Sequence, residues 1–264
     1  YAGTGKTTIV SALVKSLPIL GKRSVLMAPT GRAAKVLAKY SKKAASTIHR
    51  KIYWIRTNKN GNTYITLKEN THTNTVFIVD EASMIPESSD KGFGNRSLLD
   101  DLLEYVNSGM DCKLILIGDT AQLPPVHLDI SPALDQEFLE NNYNKSVTTK
   151  ELTQVVRQKE NSEILKNATA LRNKIAREDF SFPKLKTNAE VVRLNSGEEL
   201  QDALETAYSN DGINRTIVLC RSNKRANQYN QQIRTKIRWQ ENEISTGDML
   251  MVVRNNYHWL DDSS

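Results

Sequence analysis

The order of apolar and amphipathic segments predicts an α/β fold built on parallel strands flanked by helices. Three observations carry this expectation. Apolar runs with strand character recur at residues 24–28, 76–79, 113–117, 191–194, 216–220 and 249–253. Helical patterns lie among them at 6–17, 31–40, 97–106, 162–177, 198–208 and 224–237. Such alternation is the mark of crossover units packed on a parallel sheet. The residues able to do chemistry cluster directly after three of the strand-like runs, where ligands of such sheets gather.

Length and composition set the bounds. With 264 residues, 39% hydrophobic and 25% charged, the chain is long enough to bury a sizeable core in one large or two modest domains. No apolar run reaches 18 residues, so no membrane-spanning helix is expected. Nor does the start read as a signal peptide, because Gly5-Lys6-Thr7 interrupts it. Cys112 and Cys220 each sit in or beside a strand-like run, which argues against a disulfide framework and fits a reducing cytoplasm. Four scattered His and two Cys make no metal site of their own. The net charge of +6 permits a polyanionic partner and does not require one.

The first element is the most telling. Gly3-Thr4-Gly5-Lys6-Thr7-Thr8 runs into a helical segment. A glycine-bearing loop that opens a helix presents backbone N–H groups to phosphate. Lys6 adds a cation, and Thr7 places a hydroxyl where Mg²⁺ binds. The first glycine of the full motif falls before Tyr1, so the chain is expected to begin inside its own nucleotide site. The plain alternative is a Gly/Thr turn that caps a helix.

The strand at 24–28 ends in Pro29-Thr30-Gly31-Arg32, whose amides, Thr30 hydroxyl and Arg32 could hold an anion such as a nucleic-acid phosphate. An ordinary strand–turn–helix junction reads the same way. Ser46-Thr47-Ile48-His49-Arg50 follows, with an imidazole suited to a base or phosphate or to a purely structural place. Two β-rich runs then flank Asn60-Gly61 and predict an inserted hairpin across 51–75. Its aromatic residues either pack on the parent domain or present Tyr and Trp to bases.

Val76-Phe77-Ile78-Val79 leads straight into Asp80-Glu81. A buried strand delivering two carboxylates is what a nucleoside triphosphatase needs, one for the metal and one to deprotonate water. The run at 113–117 ends in Gly118-Asp119-Thr120-Ala121-Gln122-Leu123-Pro124-Pro125, where a stiff Pro-Pro segment holds the Gln122 amide near the expected γ-phosphate.

With these blocks in hand, the chain resembles the superfamily 1B DNA helicases of the RecD-like and Dda-like kind, the group of the exodeoxyribonuclease V alpha subunit. Leu152-Thr153-Gln154-Val155-Val156-Arg157-Gln158 and the segment 217–234 extend the resemblance over nearly the whole chain, in the family's order. It implies a P-loop NTPase with a RecA-like parallel sheet at 1–50 and 76–147. The hairpin at 51–75 is inserted into that domain, and an incomplete second RecA-like domain takes up 148–264. It implies ATP and Mg²⁺ as cofactor and metal, and single-stranded DNA as partner, with movement 5′ to 3′. Gly3, Thr4, Gly5, Lys6, Thr7 and Thr8 would cradle the phosphates, and Thr7 and Asp80 would hold the metal. Glu81 would activate water, Gln122 would sense the γ-phosphate, and Arg157 would reach in as an arginine finger. Pro29, Thr30, Arg32, His49, Arg221 and Asn223 would line the DNA track. The family's last motifs do not appear before Ser264, so a piece of a longer helicase is expected. Two other readings share part of the pattern: a P-loop ATPase acting on a protein or solute, and a DNA-binding relative without hydrolysis.

Overall fold

Four parallel strands organise the first part of the chain. They are β1 (Arg23–Ala28), β2 (Ala45–Thr47), β5 (Thr75–Val79) and β6 (Lys113–Leu116), in the spatial order β2-β1-β5-β6. This is a computed structural model, and it describes residues 4–57, 63–86, 97–125, 128–152 and 162–250. Helices α1 (Lys6–Ser16), α2 (Gly31–Ser41), α3 (Ile48–Ile52) and α4 (Leu98–Ser108) pack on the sheet. Between α3 and β5, β3 (Tyr53–Thr57) and β4 (Thr63–Leu67) pair antiparallel as the expected hairpin. Helices α5 (Gln136–Tyr143) and α6 (Glu163–Ala176) follow β6.

Side-chain alternation along the strands divides the core in two. Met27, Phe77 and Val79 point to one face and pack with Ile48 and Ile52 of α3 and with Leu99, Leu102, Tyr105 and Val106 of α4. Leu26, Val76 and Ile78 point to the other, against Val10 and Val14 of α1 and Leu37 of α2. All five residues of β5 are buried, as a strand covered on both faces must be. The hairpin divides its aromatics. Tyr53 is buried and its hydroxyl donates to Asp101 at 2.7 Å, whereas Trp54 is half exposed with the Lys68 ammonium 4.4 Å from its ring centre. Cys112 and Cys220 are both free, and among the described residues no helix is long and apolar enough to cross a membrane.

The described residues fall into two compact units divided between Pro183 and Lys184. The second holds α7 (Gly197–Asn210) and α8 (Asn223–Gln232), the latter running on into a π turn at Ile233–Ile237. Two expected strands do not form. Residues 191–194 and 216–220 lie outside any ladder, and so do 249–250, while 251–253 fall outside the described residues. A strand exists through hydrogen bonds to a neighbour. Among the described residues these runs meet no neighbouring strand, and Val192, Ile217 and Leu219 are 70%, 71% and 86% exposed.

Candidate nucleotide site

Parallel register brings the chemistry to one edge. Leu26 of β1 lies beside Ile78 of β5, which lies beside Ile115 of β6, so the three strands end level. Just past those ends the backbone remains tied: the Asp80 amide donates to the Met27 carbonyl at 3.0 Å, and the Ile117 amide to that of Val79 at 2.8 Å. The Ala82 amide closes onto the Ile117 carbonyl at 2.8 Å. Pro29, Asp80, Glu81, Gly118 and Asp119 therefore emerge together at the carboxyl end of the sheet.

The phosphate loop enters from α1. Gly5 precedes its first turn with φ 85°, ψ 17°, a left-handed conformation that costs an L side chain about 1–2 kcal/mol. Gly5 brings no side chain to cap that turn, and the first N–H groups of a helix have no carbonyl partner within the helix itself. Thr4 is buried below it, Lys6 opens the helix, Thr7 is partly buried and Thr8 is exposed. Gly3 lies outside the described residues.

The acidic pair is held under tension. Glu81 has φ 57°, ψ 37°, a left-handed region that costs a residue other than glycine about 1 kcal/mol or more. Its amide donates to Asp80 Oδ1 at 3.0 Å. Burial pushes the Asp80 carboxyl above the ordinary range, with the Glu81 amide and the Lys6 charge opposing. Burial raises Glu81 too, and the charges of Asp80 and Asp119 add to it while Lys6 opposes. A carboxylate with raised proton affinity beside a cation can accept a proton from water at moderate pH. The turn after the pair is fixed by Ser131, whose hydroxyl donates to the carbonyls of Ala82 and Ile85 at 3.0 and 2.8 Å. Gly118 lies close beneath, since a Cβ there would meet the Ser83 amide at 3.0 Å.

Asp119 joins this group as the sequence reading did not foresee. Its side chain is 1% exposed and accepts two hydrogen bonds from Arg172 on α6, at 2.8 and 2.7 Å, with Lys6 Nζ at 3.9 Å. Burial works to raise its proton affinity, but the Arg172 hydrogen bonds, the Ala121 amide and the Arg172 charge prevail and hold it below the usual carboxylate range.

Gln122 is exposed, in a turn where its amide donates to the Asp119 carbonyl at 3.0 Å. Pro29 and Thr30 stand half-buried at the end of β1, next to Thr47 at the end of β2. The Thr30 hydroxyl caps α2 by accepting from the Ala33 amide at 3.2 Å, and Thr47 caps α3 through Arg50 in the same way. Arg32 is exposed on the first turn of α2, and the ring of His49 lies 5.7 Å from that of Tyr53. Arg221 and Asn223 belong to the second unit, where Ser222 caps α8 by accepting from the Arg225 amide. Arg157 lies outside the described residues. The structure thus brings Lys6, Asp80 and Glu81 together and adds Asp119, Arg172 and Ser131. Of these three, only Asp119 had a signal in sequence, as the residue after Gly118 at a strand end.

Known proteins resemble this chain to differing extents. A family model described as an AAA domain matches residues 1–193. The ATP-dependent DNA helicase Dda of Enterobacteria phage T4 is 28% identical over 258 residues, which cover 95% of this chain and 54% of that protein. The ATP-dependent RecD2 DNA helicase of Deinococcus radiodurans is 32% identical over 169 residues, 64% of this chain and 20% of its own. Among solved structures, Pif1 helicases at forked dsDNA align with a TM-score of 0.45 at 20% identity, covering 87% of this chain and 51% of theirs. Bacteroides sp Pif1 in complex with ADP-AlF4 aligns with 0.44 at 21%, covering 87% and 50%. The chain spans about half the length of Dda and a fifth of that of RecD2.

Proposed function

Since this chain belongs to the AAA domain family, whose model takes in residues 1–193, we propose that it is part of an ATP-dependent DNA helicase that moves on single-stranded DNA, 5′ to 3′. The observation that carries the reading is the meeting of Lys6, Asp80, Glu81 and Asp119 at the carboxyl edge of one parallel sheet, beside the glycine-led start of α1. The names of Dda and RecD2 as ATP-dependent DNA helicases support the substrate class.

In this reading the amides at the start of α1 and the Lys6 ammonium bind the β- and γ-phosphates of ATP, with Gly3, Thr4, Gly5, Thr7 and Thr8 shaping the cradle. Glu81 accepts the proton of the attacking water. Gln122 reads the γ-phosphate, and Arg157 offsets charge on the transferring group. Thr7 and Asp80 fit a Mg²⁺ ion. Among the described residues no group of three or more His, Cys, Asp or Glu could hold a metal. Thr7 and Asp80 would supply two oxygen donors, with phosphate and water completing the coordination that Mg²⁺ prefers. The ion would neutralise phosphate charge. Residues 1–50 and 76–147 form the first motor domain, 51–75 its inserted hairpin, and 148–264 the start of a second. Pro29, Thr30, Arg32, His49, Arg221 and Asn223 contact the strand, with the two capped helix starts at Thr30 and Thr47 offering amides to its phosphates.

The test is the ATPase rate of the full-length protein with and without single-stranded DNA. A many-fold stimulation, lost in Lys6→Ala and Glu81→Gln, is expected. An unchanged rate with DNA would favour a motor for another substrate, and DNA binding without hydrolysis would favour a non-catalytic relative.

A further inference from the structure

Lys6 has a competitor for phosphate inside its own site. The Asp119 carboxylate, nearly inaccessible to water, lies 3.9 Å from Lys6 Nζ, at the outer limit of an ion pair. A buried carboxylate so close, left to itself, would draw the ammonium into contact, because opposite charges attract strongly where water is excluded. Arg172 prevents this. Its guanidinium takes both Asp119 oxygens at 2.7 and 2.8 Å, the two-pronged geometry that makes such pairs strong. The Ala121 amide takes a further site on Oδ1 at 3.1 Å.

We infer that Arg172 is a positioning residue which sequesters Asp119 and so keeps that carboxylate from drawing Lys6 away from the phosphates of the nucleotide. The inference rests on the nucleotide site proposed above and assigns a role to α6 that lies outside the phosphate-loop, strand-end and Pro-Pro motifs. Its physical content is a competition: Asp119 faces two cations, Lys6 and Arg172, and the phosphate needs the first, whose charge Asp80 and Glu81 also feel. Removing the arginine strengthens the hold of Asp119 on Lys6 and weakens phosphate binding. Removing the carboxylate charge takes away the pull of Asp119 on Lys6 whether or not the arginine is present. The two single substitutions therefore act in opposite directions, which damage to the fold would not produce.

The experiment uses the full-length protein and Mg²⁺ with a methylanthraniloyl-labelled ATP, and inorganic pyrophosphate and adenosine as competitors. Arg172→Gln is expected to weaken binding of the labelled ATP and of pyrophosphate about tenfold, or 1.4 kcal/mol, and to leave adenosine unchanged. Asp119→Asn is expected to match or exceed wild-type affinity. The double variant should lie within about twofold of Asp119→Asn alone, the non-additivity that marks a direct coupling. It also carries the test where Arg172→Gln does not fold, since it leaves no unpaired charge. Arg172→Lys, which cannot span both oxygens, should restore only part of the affinity. Weakening by both single variants, with an additive double, overturns the inference and leaves the nucleotide site standing. Wild-type protein that binds neither labelled ATP nor pyrophosphate overturns the site itself, and this role with it.

Discussion

Two neighbouring carboxylates in this site carry opposite stability signatures to a third. Asp80 and Glu81 have raised proton affinities, first through burial, so the folded state holds their protons more tightly than the unfolded chain does. Such groups cost stability once pH exceeds their unfolded values, near 4, and the cost grows as pH rises through the folded ones. Glu81→Gln is therefore expected to raise the melting temperature at pH 7 and to lose that advantage below about pH 4. A calorimetric scan showing a lower value at pH 7 contradicts the assignment. Asp119 is depressed in the folded state, so its contribution is present above its unfolded value and disappears as pH falls through the folded one. Asp119→Asn should cost on the order of 2 kcal/mol at neutral pH, reduced from the fully buried case because Arg172 is 20% exposed. Chemical denaturation at pH 7 and pH 3 checks it, with a difference that shrinks in acid. Lys6, Asp80 and Glu81 were legible in the sequence because each sits in a local pattern with a chemical reason. Arg172 was not, since its partner is 53 residues away and an arginine on an amphipathic helix carries no local mark.

Local signals sufficed for most of the helices, because a helix satisfies its backbone within itself, while the short α3 and α5 were not foreseen. All six expected helical segments form, and α4 has the reciprocal cap that its Ser97 and Asp100 imply. The strands 24–28 and 76–79 were equally legible, since burial in the middle of the sheet makes them near-continuously apolar, and the partly buried edge strand at 113–117 showed the same kind of apolar run. The apolar runs at 191–194 and 216–220 misled for the complementary reason: composition gives a strand its propensity, but only a neighbouring strand gives it hydrogen bonds. Caps are where local chemistry bears most directly on stability. Thr30→Ala removes the acceptor for the Ala33 amide and should cost about 1 kcal/mol, a drop of roughly 2–4 °C in melting temperature for a domain of this size. Thr30→Ser retains the acceptor and should lose far less. Equal losses from the two would mean that the hydroxyl does not act as a cap.

At the scale of the molecule, burial is concentrated at one end of the chain. Every buried hydrophobic residue through Leu139 belongs to the first unit, and among the described residues of the second only Ile233 joins the buried set. Hydrophobic stabilisation follows apolar area removed from water, about 25 cal/mol per Å². Exposed Ile217, Leu219, Ile244 and Leu250 contribute little of it to the second unit. What order that unit has comes from its helices and from polar links such as Asp248, which receives both Arg234 and Arg238. With the two arginine side chains 20% and 24% exposed, these ion pairs are still reached by solvent and add only modestly. Backbone amides that open locally exchange with solvent at a free energy set by local packing, up to the global value in the core. Deuterium uptake is therefore expected to be slow in β5 and α4, to reach completion only with global unfolding there, and to be faster by orders of magnitude in α7 and α8. Protection in α7 and α8 equal to that in β5 would show that the second unit is stabilised as strongly as the sheet, and the assignment of stability to burial in the first unit would fail.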